Sequence, residues 1–265
     1  MNAANCEENA NNRSVPNIVL ILADDLGYSD LGCFGSEYYE TPHLDRLCAE
    51  GMKLTSAYTN GPNCAPTRAA LVSGQYCPRT GVYTVGSGAR GLDKFRRMVP
   101  VQNVTALPLD KVTLADALKK AGYRTGMFGK WHLGNDAEHH PSQRGFDEAI
   151  QSNGRHFNFR TNPKTETKPG EYLADFLTDR ALEFLDRSKD RPFFLYLPHF
   201  AVHTPLQAKR ELIARFKDKP PSAGHHNPVY AAMIASVDQS AGRIMKRLDE
   251  LGLAEQLPPL YAGAV

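Results

Sequence analysis

The sequence lacks any apolar stretch close to the roughly 20 residues that a membrane-spanning helix requires. Its longest early apolar run, from Ile18 to Ala23, is only as long as a β-strand. It also lacks an excess of charge of one sign, because 31 basic and 29 acidic residues leave a formal net charge of +2. These absences predict a protein with no membrane span and exclude a strongly basic nucleic-acid binder.

Cysteine is scarce, with five residues in a chain of 265. No two of them form a CxxC pair, and they lie at irregular spacing. This pattern does not suggest a zinc knuckle or a thioredoxin-like site. Disulfide bonds at such a density would not be what holds the fold together. The five are Cys6, Cys33, Cys48, Cys64 and Cys77.

The N-terminus lacks the basic segment and apolar core of a signal peptide, and its first residues are polar and rich in asparagine. We therefore predict a disordered segment over residues 1–15, with the cytoplasm as the default location. Residues 16–252 are long enough to form one α/β domain with a core of its own. Residues 253–265 are interpreted as a separate tail.

The sequence does contain an alternation of strand and helix patterns. The run from Asn17 to Ala23 is continuously apolar and β-branched, which is typical of a strand buried on both faces. The alternation predicts an α/β fold with a mainly parallel or mixed central sheet and helices on both faces. The predicted strands are 17–23, 53–58, 123–129 and 193–199, and the predicted helices are 42–50, 66–73, 113–121, 173–185 and 230–251.

Two adjacent carboxylates, Asp24 and Asp25, directly follow the first predicted strand. Ligands of a parallel sheet bind at the carboxyl ends of its strands. Adjacent carboxylates repel each other unless a cation or several hydrogen-bond donors neutralise them. The pair alone is compatible with a solvated turn or with a hard-metal site built from oxygen ligands. Its position at a strand end favours the metal site.

Cys64 lies in the sequence NCAPTRAALVSG, close to the predicted start of a helix. The free N–H groups at a helix N-terminus favour anions. Arg68, one turn further on, can donate two hydrogen bonds to a tetrahedral oxyanion. A single cysteine is usually a small buried apolar residue. Here a proline and an arginine follow it at offsets of two and four, and this combination predicts an anion-binding site.

Two further motifs follow predicted strands. Lys130 and His132 lie in GKWHLG, and their spacing places both on the same side of an extended segment. His203 lies in PHFAVHTP, where His199 competes with it for the same role. Each residue alone is as readily structural as catalytic. Together with Arg68 they form a cluster of cationic or proton-donating groups that suits a bound dianion.

These motifs, in this order, resemble the N-terminal part of the sulfatase family, within the alkaline-phosphatase-like superfamily. CAPTR matches the C-x-P-S/T-R signature of the family, and LVSG matches the L-x-[TS]-G that follows it. NIVLILADDLGYSDLGCFG matches the opening metal-binding strand, GKWHLG the Lys/His motif, and HTP at His203 a later sulfate-contacting histidine. The resemblance covers nearly everything from Pro16 to Gly252.

The resemblance implies a mechanism built on a modified cysteine. Cys64 would be oxidised to formylglycine by a formylglycine-generating or sulfatase-maturing enzyme. A hydroxyl of the hydrated aldehyde would attack the sulfur of a small-molecule or glycan sulfate ester. A Ca²⁺ ion, or Mg²⁺ in its place, would be held by Asp24, Asp25 and an oxygen of the modified Cys64.

The other site residues also follow from the resemblance. Arg68 and Lys130 would stabilise the modified side chain and the sulfate, and His132 would orient or deprotonate a hydroxyl. His203, with Lys130, would contact the sulfate and assist the leaving group as a general acid. Ser152 would match a further substrate-binding position after the sequence GFD. Family members are often exported, so the location of the protein stays open.

The end of the sequence departs from the family pattern. Sulfatases continue into a strand that ends in Asp-Asn-Gly, whose Asp and Asn complete the calcium shell, whereas residues 253–265 contain neither Asp nor Asn. We therefore expect a C-terminally truncated fold with too few oxygen ligands for Ca²⁺. Pro258-Pro259 disfavours a central strand here, so the neighbouring strand edges are expected to be unpaired.

Three functions are compatible with these observations. The leading hypothesis is an arylsulfatase-like sulfuric ester hydrolase. The second is a related phosphoesterase or phosphonate hydrolase, although Cys64 favours sulfate because phosphate-cleaving relatives more often carry Thr or Ser as the nucleophile. The third is a truncated, non-catalytic sulfatase fragment.

Overall fold

The computed structural model describes residues 15–254 and 261–264 of the chain. The predicted disordered segment 1–15 lies, apart from Val15, outside the described residues, and so does Pro258-Pro259. The boundaries proposed for the domain and for the tail stay predictions.

Five strands form one sheet in the order β3-β2-β4-β1-β5. Every neighbouring pair in this sheet is parallel, which confirms the predicted fold class. The strands are β1 (Ile18–Ala23), β2 (Arg124–Gly129), β3 (Glu148–Gln151), β4 (Phe193–Pro198) and β5 (Tyr261–Ala264).

Seven α-helices accompany the sheet in the described part of the chain, and none of them is long and apolar enough to cross a membrane. The second begins two residues before its predicted start, so that Cys64 is its first residue. The helices are α1 (Pro42–Glu50), α2 (Cys64–Ser73), α3 (Cys77–Thr80), α4 (Leu114–Lys120), α5 (Leu173–Ser188), α6 (Arg210–Phe216) and α7 (Pro228–Glu250).

Both faces of the sheet are buried, which explains the continuous apolar sequence of β1. Val19 and Ile21 belong to an apolar cluster that includes residues of α5 and α7. Leu20 and Leu22 belong to the opposite cluster, which includes residues of α2 and α4. Because alternate residues of a strand point to opposite faces, β1 offers no place for a polar side chain until the chain leaves the sheet at Asp24.

Side-chain caps fix the starts of two helices. The Thr113 hydroxyl accepts a hydrogen bond from the Asp116 N–H (3.0 Å) before α4, as its sequence predicts. Asn227 Oδ1 accepts hydrogen bonds from the N–H groups of Val229 (3.0 Å) and Tyr230 (3.1 Å) before α7. Each cap satisfies N–H groups that have no partner within the helix, and the second one fixes the first turn of α7 beside the carboxyl end of β1.

The prediction of a strand over residues 53–58 is wrong. The structure has an exposed loop there, with Leu54 and Tyr58 left in solvent. A strand needs a neighbour that accepts its backbone hydrogen bonds, and no strand among the described residues pairs with this segment.

The expectation that the edge of β1 is unpaired is also wrong. Tyr261–Ala264 forms β5, which runs parallel to β1 with Leu20 opposite Tyr261 and Ala23 opposite Ala264. Proline disfavours a strand in the middle of a sheet and is tolerated at an edge or before a strand. Because β5 is the last strand of the described sheet and follows the two prolines in sequence, it satisfies both conditions.

Candidate active site

The predicted site residues meet at the carboxyl ends of the central strands. Asp24 and Asp25 follow β1, Lys130 follows β2, and His203 lies five residues after β4. Backbone hydrogen bonds join the three segments, because the Asp24 N–H donates to the carbonyl of Ala201 (2.9 Å) and the Lys130 N–H donates to the carbonyl of Pro198 (2.7 Å). The site is thus built on the register of the sheet.

Asp24 lies at the centre of a buried charged cluster. Its carboxylate is fully buried and contacts Arg68 Nη2 (2.8 Å) through one oxygen and Lys130 Nζ through the other. Arg68, also fully buried, donates a second hydrogen bond from Nη1 to the carbonyl of Lys130 (2.7 Å). Two cations therefore share one anion in the interior of the protein.

Asp25 differs from its neighbour in both backbone and exposure. Its φ of 60° lies in the left-handed region, which is unfavourable for a residue with a Cβ atom. Its side chain is 52% exposed, and its Oδ2 lies 3.6 Å from His203 Nε2. In an extended strand the side chains of Asp24 and Asp25 would point to opposite faces. The left-handed turn at Asp25 instead brings the two carboxylates to the same region.

Among the described residues, Asp24, Asp25 and His203 form the one group of three side chains that could hold a metal ion. Their ligand atoms all lie within 4.8 Å of one another. Two carboxylates suit a hard divalent cation such as Ca²⁺ or Mg²⁺ in chemical kind. Because Ca²⁺ prefers about six to eight oxygens, these carboxylates would supply only part of its shell.

Cys64 is the first residue of α2 and is buried. Asn63, at the N-cap position, makes no side-chain capping hydrogen bond, so that the first N–H groups of the helix are available to an anion. One helical turn separates Cys64 from Arg68, because residues four apart lie on the same face of a helix. The helix therefore links the position of the predicted nucleophile to the buried charged cluster.

His132 is held as a neutral imidazole. Burial, together with the positive charges of Lys130 and Arg68, lowers the pKa of His132 to about 4. Its Nδ1 is buried without a hydrogen-bond partner, which is costly unless a ligand or a modified side chain supplies one. A neutral ring with an unused nitrogen can accept a proton or a hydrogen bond at that atom.

Ser152 occupies a different environment from the other candidates. Its hydroxyl donates a hydrogen bond to the carbonyl of Arg160 (2.7 Å), and its N–H donates to the carbonyl of Gly129 (3.0 Å). These contacts join the segment after β3 to the end of β2. The proposed contact of Ser152 with substrate stays a prediction.

The structure separates the two histidines after β4. His199 is fully buried, and its Nε2 lies 2.9 Å from Ser240 Oγ, which accepts a hydrogen bond from the hydroxyl of Thr178 (2.6 Å). His203 is partly exposed and faces Asp25. The geometry thus favours His203 as the site residue, while His199 bridges to α5 and α7.

Buried His199 is expected to make the fold sensitive to acid. Burial lowers the pKa of His199 to about 4, whereas the unfolded chain takes up this proton near pH 6.5. Stability that is fully present above pH 6.5 is therefore lost as the pH falls towards 4, by up to about 3 kcal/mol. The His199→Gln variant should show a flatter loss of urea-unfolding free energy between pH 7 and pH 4 than the wild-type chain.

Exposed His226 supplies the matched control for this experiment. The His226→Gln variant removes a histidine whose side chain lies at the surface, so that its pH dependence should match that of the wild-type chain. A His199→Gln variant that keeps the full acid slope would contradict the prediction.

Three residues near the site have no motif that reveals their role. Tyr230 falls on the apolar stripe of α7 in the sequence, yet its hydroxyl reaches the carbonyl of Asp25. Asp30 lies in the loop that follows Asp25, and its carboxylate contacts the hydroxyl of Tyr230. His156 donates a hydrogen bond from Nε2 to the carbonyl of His203 (2.8 Å). The sequence offers one signal for Asp30, which is its place as an acidic residue five positions after the predicted metal ligand Asp25.

Comparison with known proteins identifies the family of this chain. The sequence model of the family described as Sulfatase matches residues 16–257, which is most of the chain. The chain belongs to the sulfatase family. An N-acetylgalactosamine-6-sulfatase from Canis lupus familiaris is 35% identical over 264 residues, which cover 91% of this chain and 48% of the relative. Arylsulfatase G from Rattus norvegicus is 31% identical, with 89% of this chain and 48% of the relative covered.

The fold of this sulfatase-family chain is also found in solved structures. A crystal structure of Ps i-CgsB in complex with k-i-k-neocarrahexaose superposes with a TM-score of 0.78 at 31% identity and covers 92% of this chain and 57% of the other. The chain spans about half the length of the curated relatives that it matches. These comparisons confirm the family and the fold class.

Proposed function

We propose that this chain carries the nucleophile and the cation site of a sulfuric ester hydrolase. The observation that supports the proposal most directly is the position of Cys64 at the start of α2, one turn before Arg68. Arg68 contacts both Asp24 and the carbonyl of Lys130. One buried side chain therefore connects the helix of the predicted nucleophile to a predicted cation ligand and to the predicted sulfate-binding lysine.

The chemistry of the proposed reaction begins at Cys64. A maturing enzyme would convert this residue to formylglycine, which supplies a hydrated aldehyde hydroxyl as the nucleophile for sulfur. Ca²⁺ held by Asp24 and Asp25 would supply polarisation of the sulfate oxygens. The overall reaction consumes one water and one sulfate ester and releases an alcohol and sulfate.

The remaining side chains of the site are proposed to bind and to move protons. Arg68 and Lys130 provide fixed positive charge close to the position of the sulfate, where burial increases its effect on an anion. His132 can accept a proton at Nδ1, the atom that is buried without a partner. His203, which is partly exposed beside Asp25, is the residue that we propose donates a proton to the leaving oxygen.

The proposed substrate is a sulfated glycan. One relative is an N-acetylgalactosamine-6-sulfatase, and one similar structure was solved in complex with k-i-k-neocarrahexaose. Both names refer to sugar ligands of those proteins. They support the same class of substrate here.

The proposal is tested by comparing two leaving-group-matched substrates. The chain is produced together with a sulfatase-maturing enzyme, and conversion of Cys64 is verified by peptide mass spectrometry. Hydrolysis of an aryl sulfate and of the matching aryl phosphate is then measured in Ca²⁺ and in EDTA. We expect the aryl sulfate to be hydrolysed faster than the aryl phosphate, and we expect EDTA to abolish this hydrolysis. Faster phosphate hydrolysis would favour the phosphoesterase, and no turnover after conversion of Cys64 would favour the non-catalytic fragment.

The cation requirement is expected to depend on Asp25. The Asp25→Asn variant removes a charged oxygen ligand, and it should weaken Ca²⁺ binding by more than the roughly 10- to 100-fold that the loss of an outer-shell partner costs. Isothermal titration with Ca²⁺ measures the change. The control is Asp179→Asn, which removes a comparably exposed aspartate that pairs with Arg243 at the surface. Equal Ca²⁺ affinity in the two variants would contradict the assignment of Asp25.

A further inference from the structure

The loop that carries Asp25 is closed by an aspartate of its own. Asp30 ends the short 3-10 turn Tyr28–Asp30 and is buried. Its Oδ2 accepts a hydrogen bond from the N–H of Gly27 (2.8 Å). A Cβ atom at Gly27 would lie only 2.8 Å from the same oxygen, so that the glycine allows the carboxylate to approach the backbone. The chain between Asp25 and Asp30 is thereby folded back on itself.

A tyrosine from α7 joins this closed loop to the rest of the protein. The hydroxyl of Tyr230 lies 2.6 Å from Asp30 Oδ2, to which it donates, and 3.3 Å from the carbonyl oxygen of Asp25. Burial and the Asp30 carboxylate both raise the pKa of Tyr230 above its usual range. The phenol has one hydrogen, which is shared between the close acceptor Asp30 Oδ2 and the more distant carbonyl oxygen of Asp25.

The position of Tyr230 is itself fixed from several sides. Asn227 caps the N–H of Tyr230 in the first turn of α7. The ring of Tyr230 packs edge-on against that of Tyr39, with ring centroids 5.5 Å apart. Tyr39 in turn stacks on the ring of His225, with centroids 4.6 Å apart. His225 Nε2 lies 3.9 Å from the second oxygen of Asp30. The hydroxyl of Tyr230 is thus held in place by packing that does not depend on Asp25.

We propose that Tyr230 and Asp30 form a brace that holds the backbone of Asp25 in its left-handed conformation, so that the Asp25 carboxylate stays beside that of Asp24. The proposal rests on the cation site described under the proposed function. Asp25 is the ligand that needs such support, because its φ is unfavourable and its side chain is half exposed, whereas Asp24 is held by Arg68 and Lys130. Tyr230 is a positioning residue, since its hydroxyl reaches the ligand only through the backbone.

The Tyr230→Phe variant tests the brace because it removes one oxygen atom and leaves the ring packing in place. We expect its affinity for Ca²⁺, measured by isothermal titration, to fall roughly 10- to 100-fold, as is usual when an outer-shell partner of a metal ligand is lost. Its thermal midpoint in EDTA should fall only modestly, because the buried Asp30 carboxylate loses one donor and keeps the N–H of Gly27. An unchanged Ca²⁺ affinity overturns the proposal.

The matched control is Tyr123→Phe. The hydroxyl of Tyr123 also donates to a backbone carbonyl, that of Pro16 (2.8 Å), at the beginning of the sheet and away from the cation site. Tyr123→Phe should leave Ca²⁺ affinity unchanged. An equal loss of affinity in the two variants would mean that any lost tyrosine hydroxyl loosens the fold, and this result also overturns the brace.

A second variant covers the case in which Tyr230→Phe does not fold. Asp30→Asn keeps the size of the side chain and removes the charge that accepts from Tyr230 and Gly27. Asp30→Asn should also lower the affinity for Ca²⁺. An Asp30→Asn chain with wild-type affinity overturns the brace.

The wild-type chain and Asp25→Asn distinguish the brace from the cation site itself. If both bind Ca²⁺ equally, the proposed cation site is wrong. If Asp25→Asn loses binding while Tyr230→Phe and Asp30→Asn keep it, the site stands and only the brace is wrong.

Discussion

We expect the Cys64→Ala variant to hydrolyse an aryl sulfate at least about 10⁴-fold more slowly than the matured wild-type chain, because loss of a nucleophile removes the covalent route entirely. The remaining side chains can still bind and polarise a sulfate, so that any residual rate measures their contribution without the nucleophile. The measurement is initial-rate kinetics at saturating substrate, with peptide mass spectrometry to confirm conversion of Cys64 in the wild-type chain.

Cys77→Ala provides the matched control for the loss of a buried thiol. Cys77 is also buried, and its Sγ lies within weak hydrogen-bond distance of the carbonyl and side-chain oxygens of Asn60 and, at 4.0 Å, of the carbonyl of Pro66. This variant should keep most of the activity. Comparable rates for Cys64→Ala and the wild-type chain would show that Cys64 is not the nucleophile, and the sulfatase mechanism would not apply to this chain.

The second large effect concerns stability, and it should distinguish two adjacent residues. Asp24→Asn leaves Arg68 and Lys130 as two buried cations without a counterion. Breaking a buried ion pair in this way typically costs about 3–5 kcal/mol. We expect a loss of this size in the free energy of unfolding, measured by urea denaturation in EDTA so that cation binding does not contribute.

Asp25→Asn is the internal control for this measurement. Its side chain is half exposed, and its one ion pair among the described residues is with His203 at 3.6 Å, so that its effect on unfolding in EDTA should be within about 0.5 kcal/mol. The double variant Asp24→Asn/Lys130→Met should recover part of the loss, because it removes one of the two uncompensated cations. Equal losses for Asp24→Asn and Asp25→Asn would show that the buried cluster does not depend on Asp24.

The two aspartates thus have different physical tasks although they are neighbours in the sequence. Asp24 neutralises buried charge and is fixed by it, and Asp25 is exposed to the position where a cation would bind. In the proposed site a divalent cation would compete with Lys130 and Arg68 for the oxygens of Asp24, since all three are positive charges at the same carboxylate. The Ca²⁺ affinity of the chain would then include the free energy of rearranging these contacts.

Much of the candidate site could be predicted because most of its residues lie in short sequence motifs. CAPTR, GKWHLG and the Asp24-Asp25 pair each lie within a few residues, and the end of a buried strand or the start of a helix gives each a defined place. Parallel strands that are buried on both faces bring those segments together at the carboxyl end of the sheet, as their order along the chain suggests.

Local patterns in the sequence are enough to predict the fold class, the family motifs and the candidate cation ligands at positions 24 and 25, since these depend on periodicity and on residues close in the chain. Four other features became visible in the folded chain. His203 rather than His199 faces Asp25, Asp24 is shared between Arg68 and Lys130, Tyr230 reaches the loop of Asp25, and β5 rather than residues 53–58 joins the sheet. Each of these contacts joins residues far apart in sequence. Their partners are fixed by how helices and strands pack in three dimensions, which local patterns do not encode.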